Sequence, residues 1–130
     1  QSLAGMQRRV CVVDERGEIY PQELSGPDQQ LPAVDTLSGI PKERAVQMAL
    51  RTLSPQVIVL DELGSLAETA ALEQGFFSGV DFIASIHAPD AAQAQCRPQV
   101  KALQQQGMLR VLVLLQGCAE PGRVRQIDEL

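Results

Sequence analysis

Two adjacent carboxylates, Asp61 and Glu62, end a short apolar run, Val57-Ile58-Val59-Leu60. An aspartate so placed can hold Mg²⁺ through the metal's water shell, and a neighbouring glutamate can orient an attacking water. The theme recurs twice. Arg9-Val10-Cys11-Val12-Val13 runs into Asp14-Glu15-Arg16-Gly17-Glu18, and the apolar stretch from Val80 to Ile86 delivers His87, the single histidine of the chain. Acids beside a histidine suit a Mg²⁺-nucleotide: the acids hold metal and water while the histidine contacts the terminal phosphate. The same groups suit a metal-assisted hydrolase, although one histidine lacks the clustered imidazoles of a transition-metal site. Taken singly, each stretch also reads as a core strand that stops at solvated charge, and His87 as a structural strand-end residue.

Positioning these groups requires strands. Short continuous apolar runs rich in β-branched residues suit strands buried on both faces, as in a parallel sheet flanked by helices. The carboxyl ends of parallel strands share one edge, so acids distant in sequence can converge there on one ligand. Between the strands, Pro41 to Leu53 reads as a helix with Val46, Ala49, Leu50 and Leu53 on one face. Arg44, Gln47 and Arg51 fall on another face, which reads as solvated or as reaching a phosphate on a neighbouring subunit. Ser54-Pro55 ends that helix, because the residue before proline is pushed out of the helical region.

Leu66 to Phe76 predicts a second helix with Leu66, Ala70, Leu72 and Phe76 toward the core. Asp90 and the alanines after it start a third, Pro98 breaks the run, and Val100 to Gln106 reads as a short amphipathic helix. Val111 to Leu115 predicts a fourth strand, followed by a turn over Gly117 to Gly122 and an edge strand over Val124 to Ile127. The stretch from Tyr20 to Ile40, rich in Pro, Gly, Ser, Asp and Gln, reads as one long loop that either covers a ligand or is a surface excursion. Alternating strands and helices predict an α/β fold in three layers around a mostly parallel sheet.

Composition narrows the function classes. The 130 residues, 45% of them apolar, make one globular domain or part of one. A net charge of −5 and no basic run beyond Arg8-Arg9 argue against nucleic acid as a main partner, and 3% aromatic content argues against base-stacking platforms. No apolar run approaches the ~18 residues that span a bilayer, so direct membrane insertion is not expected. The three cysteines, Cys11, Cys96 and Cys118, lack metal spacing and read as buried, reduced thiols of a cytoplasmic protein. The chain opens on Gln1 within ordinary-looking sequence, and we expect it to be a piece of a longer protein.

The order of these pieces carries a family resemblance over roughly residues 8 to 128. Val12-Val13-Asp14-Glu15-Arg16-Gly17-Glu18-Ile19 resembles the acidic box of the stage III sporulation protein AA family. Leu37-Ser38-Gly39-Ile40-Pro41-Lys42 resembles that family's approach to its intervening helix, and Ser54-Pro55-Gln56-Val57-Ile58-Val59-Leu60-Asp61-Glu62-Leu63-Gly64 resembles its Walker B segment. Ile83-Ala84-Ser85-Ile86-His87-Ala88-Pro89-Asp90-Ala91 is similar to the histidine box of type II and type IV pilus secretion ATPases. The resemblance implies a RecA-like P-loop NTPase core and an ATPase that uses Mg²⁺ and ATP. It implies a homo-oligomer, a hexameric ring, docked on a membrane-channel or secretion complex from the cytoplasmic side. Carried over by position, it assigns Asp61 to the metal and makes Glu62 the catalytic base, with Glu15 and His87 also catalytic. Asp14, Glu18 and Arg16 fall to cofactor binding.

One departure matters. Gly-x-x-x-x-Gly-Lys-Ser/Thr occurs nowhere in the sequence, and Gly39-Ile40-Pro41-Lys42 has neither the spacing nor the following hydroxyl. Without that motif there is no backbone cradle for phosphates and no lysine on the β- and γ-phosphates, so the chain alone is expected to hydrolyse ATP poorly or not at all. In RecA-like sheets the P-loop strand lies between the histidine-box strand and the next one. Its absence predicts that Val80–Ile86 pairs directly with Val111–Leu115 or that these strands self-associate. Two rivals stand beside the ATPase reading: a non-catalytic assembly domain that binds partner subunits, and a small metal-dependent phosphoesterase, whose several histidines are missing.

Overall fold

The computed structural model describes residues 7–19 and 34–130. The chain divides into two compact units, Gln1–Ile86 and His87–Leu130. In the first, β1 (Val10–Asp14), β2 (Val34–Ser38), β3 (Val57–Glu62) and β4 (Asp81–Ser85) form a four-stranded sheet in the order β2-β1-β3-β4, and every pair is parallel. The continuous apolar run of β1 explains its central place: all five of its residues are buried. Register pairs Val10 with Val57 and Val13 with Leu60, so the next residues along, Asp14 and Asp61, come to the same edge.

Helices α1 (Lys42–Thr52) and α2 (Leu66–Phe77) link β2 to β3 and β3 to β4, and they pack on each other. Both crossovers advance across the sheet in one direction. With the usual right-handed connection, that puts both helices on one face. The described part of this unit is therefore a parallel sheet with both helices on one face. Ala45, Val46 and Ala49 of α1 and Ala71 and Leu72 of α2 are buried, and Ile58, Leu72, Val13 and Val46 are among the largest fully buried side chains. Each such side chain contributes about 1.5–3 kcal/mol by leaving water.

Local signals set the helix ends. Ser54 takes φ 46° before Pro55, which turns the chain out of α1. Ser65 caps α2 by accepting from Glu68 N–H, while Glu68 reaches back to the Ser65 N–H, a reciprocal capping box. The core face of α2 differs from the expected one. Leu66 and Ala70 are exposed, and the buried positions are Thr69, Ala71, Leu72 and Gly75. Gly75 lies so close to the sheet that a Cβ there would stand 2.5 Å from Phe82 Cζ. That approach rotates the helix relative to a reading based on leucine and alanine spacing.

Three further expectations are corrected. The stretch expected to be a loop from Tyr20 to Ile40 contains β2, an edge strand; residues 20–33 of it lie outside the described residues. The strand at Val111–Leu115 does not join the parallel sheet, nor does it pair with β4. It forms β5, antiparallel to β6 (Val124–Glu129), within the second unit. A connection of only eight residues, 116–123, can fold back but cannot make the crossover that a parallel neighbour needs. Finally, only Cys11 is a buried thiol, while Cys96 and Cys118 are exposed.

The second unit also holds α3 (Ala91–Cys96), capped by the Asp90 carboxylate accepting from Gln93 N–H, and α4 (Pro98–Gln105). Its hairpin carries Val111, Val113, Leu115, Val124 and Ile127 in exposed positions. No helix among the described residues is long and apolar enough to cross a membrane.

Candidate functional site

The acids converge at the carboxyl edge of the first unit's sheet. Asp14 ends β1 and is fully buried. Its Oδ1 accepts from Glu18 N–H at 2.9 Å and its Oδ2 from Ile19 N–H at 2.7 Å. The carboxylate thus organises the turn that follows the strand. Glycine at position 17 meets a backbone need in that turn, φ 70°, and its N–H donates to the Asp14 carbonyl. Glu15, Arg16 and Glu18 project from this turn and are exposed. The Glu15 carbonyl accepts from Gly39 N–H, which ties the ends of β1 and β2 together.

β3 brings Asp61 and Glu62 to the same edge. Its register against β4 shifts between Val59 and Glu62, a bulge that re-aims the end of the strand. Asp61 is half-buried and Glu62 is exposed. The end of β3 is held by Leu63 N–H on the Ser85 carbonyl and by Gly64 N–H on Glu68 Oε2.

The structure brings to this edge the lysine of Gly39-Ile40-Pro41-Lys42, a motif without P-loop spacing. Lys42, the first residue of α1, places Nζ 2.9 Å from Asp61 Oδ1 and donates to the Glu62 carbonyl. Burial pulls the Lys42 pKa down, but Asp61, with Glu68 and Glu15 behind it, outweighs burial and raises it above the ordinary lysine value. The signal for Lys42 was in the sequence. Pro41 fixes where α1 begins, and a cation in a helix's first turn opposes the helix dipole unless acids hold it there.

His87 follows β4 by one residue, Ile86, and opens the second unit. Its carbonyl accepts from Arg97 Nη2 at 3.2 Å. The first unit thus assembles Asp14, Glu15, Glu18, Arg16, Asp61 and Glu62 at one edge, with Lys42 among them. Chemically, this edge offers an exposed carboxylate, Glu62, and an aspartate already paired with a lysine. Among the described residues no group of three or more His, Cys, Asp or Glu could hold a metal, and Asp61 already faces an ammonium.

The sequence matches the family described as "Sporulation stage III, protein AA" over residues 2–129. It is 32% identical over 117 residues to "Stage III sporulation protein AA" of Bacillus subtilis (strain 168), an alignment covering 89% of this chain and 38% of that relative. The chain therefore spans well under half the length of the curated relative it matches. With strands that end in acids on one sheet edge and a match across nearly its whole length, the chain belongs to the sporulation stage III protein AA family.

Proposed function

We propose that this chain is the acid-bearing half of a sporulation or secretion-type ATPase of the RecA-like P-loop class. The observation that carries the reading is the edge itself: Asp14 at the end of β1 and Asp61-Glu62 at the end of the adjacent parallel strand β3. Ligands of open α/β sheets bind outside the carboxyl ends of the strands. In this reading Glu62 orients and deprotonates the water that attacks the terminal phosphate, Glu15 is a second catalytic acid, and Asp14, Arg16 and Glu18 belong to cofactor binding; the family resemblance gives His87 a catalytic role as well. Magnesium would accompany ATP, with Asp61 as the acid that faces it through its water shell. The phosphate grip lies outside this chain, since its sequence has no Gly-x-x-x-x-Gly-Lys-Ser/Thr.

The same reading expects the longer protein to be a homo-oligomer, a hexameric ring, acting from the cytoplasm on a membrane-channel or secretion complex. Calorimetry with Mg²⁺-ATP tests it. The longer family protein carrying this segment binds the nucleotide, and the 130-residue chain binds it no better than millimolar. Failure of the longer protein to bind would remove the reading.

A second reading has its own support. The Lys42–Asp61 ion pair neutralises the acid that a nucleotide site would give to its metal, as expected of a non-catalytic assembly domain that keeps the fold to bind partner subunits. Light scattering on the longer protein with and without ATP separates the two: assembly that ignores nucleotide favours the second.

A further inference from the structure

The aspartate that the nucleotide reading turns toward a metal is already neutralised from within the chain. Lys42 Nζ lies 2.9 Å from Asp61 Oδ1, and the two side chains are only 13% and 18% exposed. The same ammonium donates to the Glu62 carbonyl, so it bridges the side chain of one strand-end residue and the backbone of the next. α1 starts at Lys42 with no side-chain cap, and a cation at that end of a helix is unfavourable on its own. Asp61, Glu15 and Glu68 supply the opposing charge.

We propose that Lys42 is the resident cation of this strand-end site and that it keeps divalent metal ions off Asp61. A metal arriving at Asp61 would meet a positive charge a few ångströms away and would have to displace it from two oxygens. The ammonium thus supplies part of the charge that a divalent cation would otherwise bring, and it fastens the start of α1 to the end of β3. Any ligand that loads a metal on Asp61 must first draw Lys42 away, and an anionic oxygen is the chemistry that would do so. The inference rests on the nucleotide reading only for the choice of Asp61 as the metal-facing acid.

Manganese is the probe, followed by calorimetry and by the electron paramagnetic resonance of free Mn²⁺, with the full chain and no nucleotide. Wild type and Asp61→Asn bind Mn²⁺ equally weakly. Lys42→Met binds at least about tenfold more tightly, the order expected when a unit charge near a divalent ion is removed even at the dielectric of water. Lys42→Met/Asp61→Asn loses that gain, and Lys42→Arg behaves as wild type. Wild-type Mn²⁺ affinity that falls on Asp61→Asn would overturn the proposal, as would a folded Lys42→Met variant with no gain.

Should Lys42→Met not fold, wild-type melting with Mg²⁺ at matched ionic strength decides. An unchanged midpoint supports the proposal, and a rise abolished by Asp61→Asn contradicts it. Because no arm contains nucleotide, these results stand whether or not the longer protein binds ATP, and the calorimetry with ATP stands whatever manganese does.

Discussion

Asp14 is the most demanding test of how the strand-end turn is built. Its carboxylate is fully buried and accepts two backbone N–H groups, from Glu18 at 2.9 Å and Ile19 at 2.7 Å. A hydrogen bond to a charged group is worth about 1.5–3 kcal/mol net, and Asp14→Ala removes two while leaving their donors to find water. Against this, the folded state no longer carries the cost of a buried carboxylate. The expected loss is about 3 kcal/mol. With a urea slope of about 1.5–2 kcal/mol/M for a chain of this size, the midpoint falls by about 1.5–2 M. Asp14→Asn keeps one acceptor but turns an amide toward one backbone N–H, so it should fall between, at about 1.5 kcal/mol. Far-ultraviolet circular dichroism is the suitable probe, since the chain has no tryptophan and a single tyrosine. A loss for Asp14→Ala within about 0.5 kcal/mol of zero, the range of ordinary surface changes, would refute the claim that this carboxylate organises the turn.

Other perturbations probe other joints of the fold. Gly75→Ala would place a Cβ 2.5 Å from Phe82 Cζ and 3.2 Å from Leu50 Cδ2. It should therefore destabilise by about 1–3 kcal/mol in thermal melts, although alanine is the better helix former. Ser65→Ala opens the capping box of α2 and should cost about 1 kcal/mol in the same assay. Titration with a thiol reagent should modify Cys96 and Cys118 quickly and Cys11 only after denaturation. Burial, helped by the charge of Asp35, pushes the Cys11 thiol up to about 11 from 9.0. The folded state thus keeps its proton where the unfolded chain loses it. That contribution is whole below pH 9 and fades as pH rises through about 11, by up to about 3 kcal/mol. Cys11→Ala should flatten this alkaline slope in urea melts, leaving the smaller loss from Lys42, whose raised pKa acts in the same direction.

The parts of the fold legible in the sequence were those where one signal dominated. Val10–Val13 and Val57–Leu60 are continuous apolar runs, and both became parallel strands with acids at their ends. Pro41 and Ser54-Pro55 bracketed α1 to within a residue or two, with Pro41 standing just before the helix rather than inside it. β2 was hidden because an edge strand needs no apolar run. Val34-Asp35-Thr36-Leu37-Ser38 alternates only weakly within Pro- and Gly-rich surroundings, and parallel pairing to β1 supplies what its side chains do not. α2 was rotated because glycine gives no hydrophobic signal, yet Gly75 marks the closest approach to the sheet. β5 looked like a core strand by composition. The short turn to β6 favours antiparallel pairing whatever the strand's apolarity, and the two strands form a sheet of their own.

The candidate site was legible as a set of acids but not as an electrostatic unit. Spacing along the chain found Asp14, Asp61 and Glu62, because strand ends announce themselves. It did not find Lys42, because the lysine acts across a packing contact between the start of α1 and the end of β3. The pairing changes what the edge can do. It leaves Glu62 as the exposed carboxylate of the pair and sets Asp61 behind an internal counter-charge.

In the reading proposed above, this edge supplies the water-activating half of an ATPase. Phosphate release from ATP by the longer family protein, with and without Glu62→Gln, tests it most directly. The wild type should turn over ATP, and Glu62→Gln should lose about 10²–10⁴-fold with nucleotide binding retained, as for removal of a general base. Turnover unchanged by Glu62→Gln, or none at all in a wild-type protein that binds ATP, would contradict it.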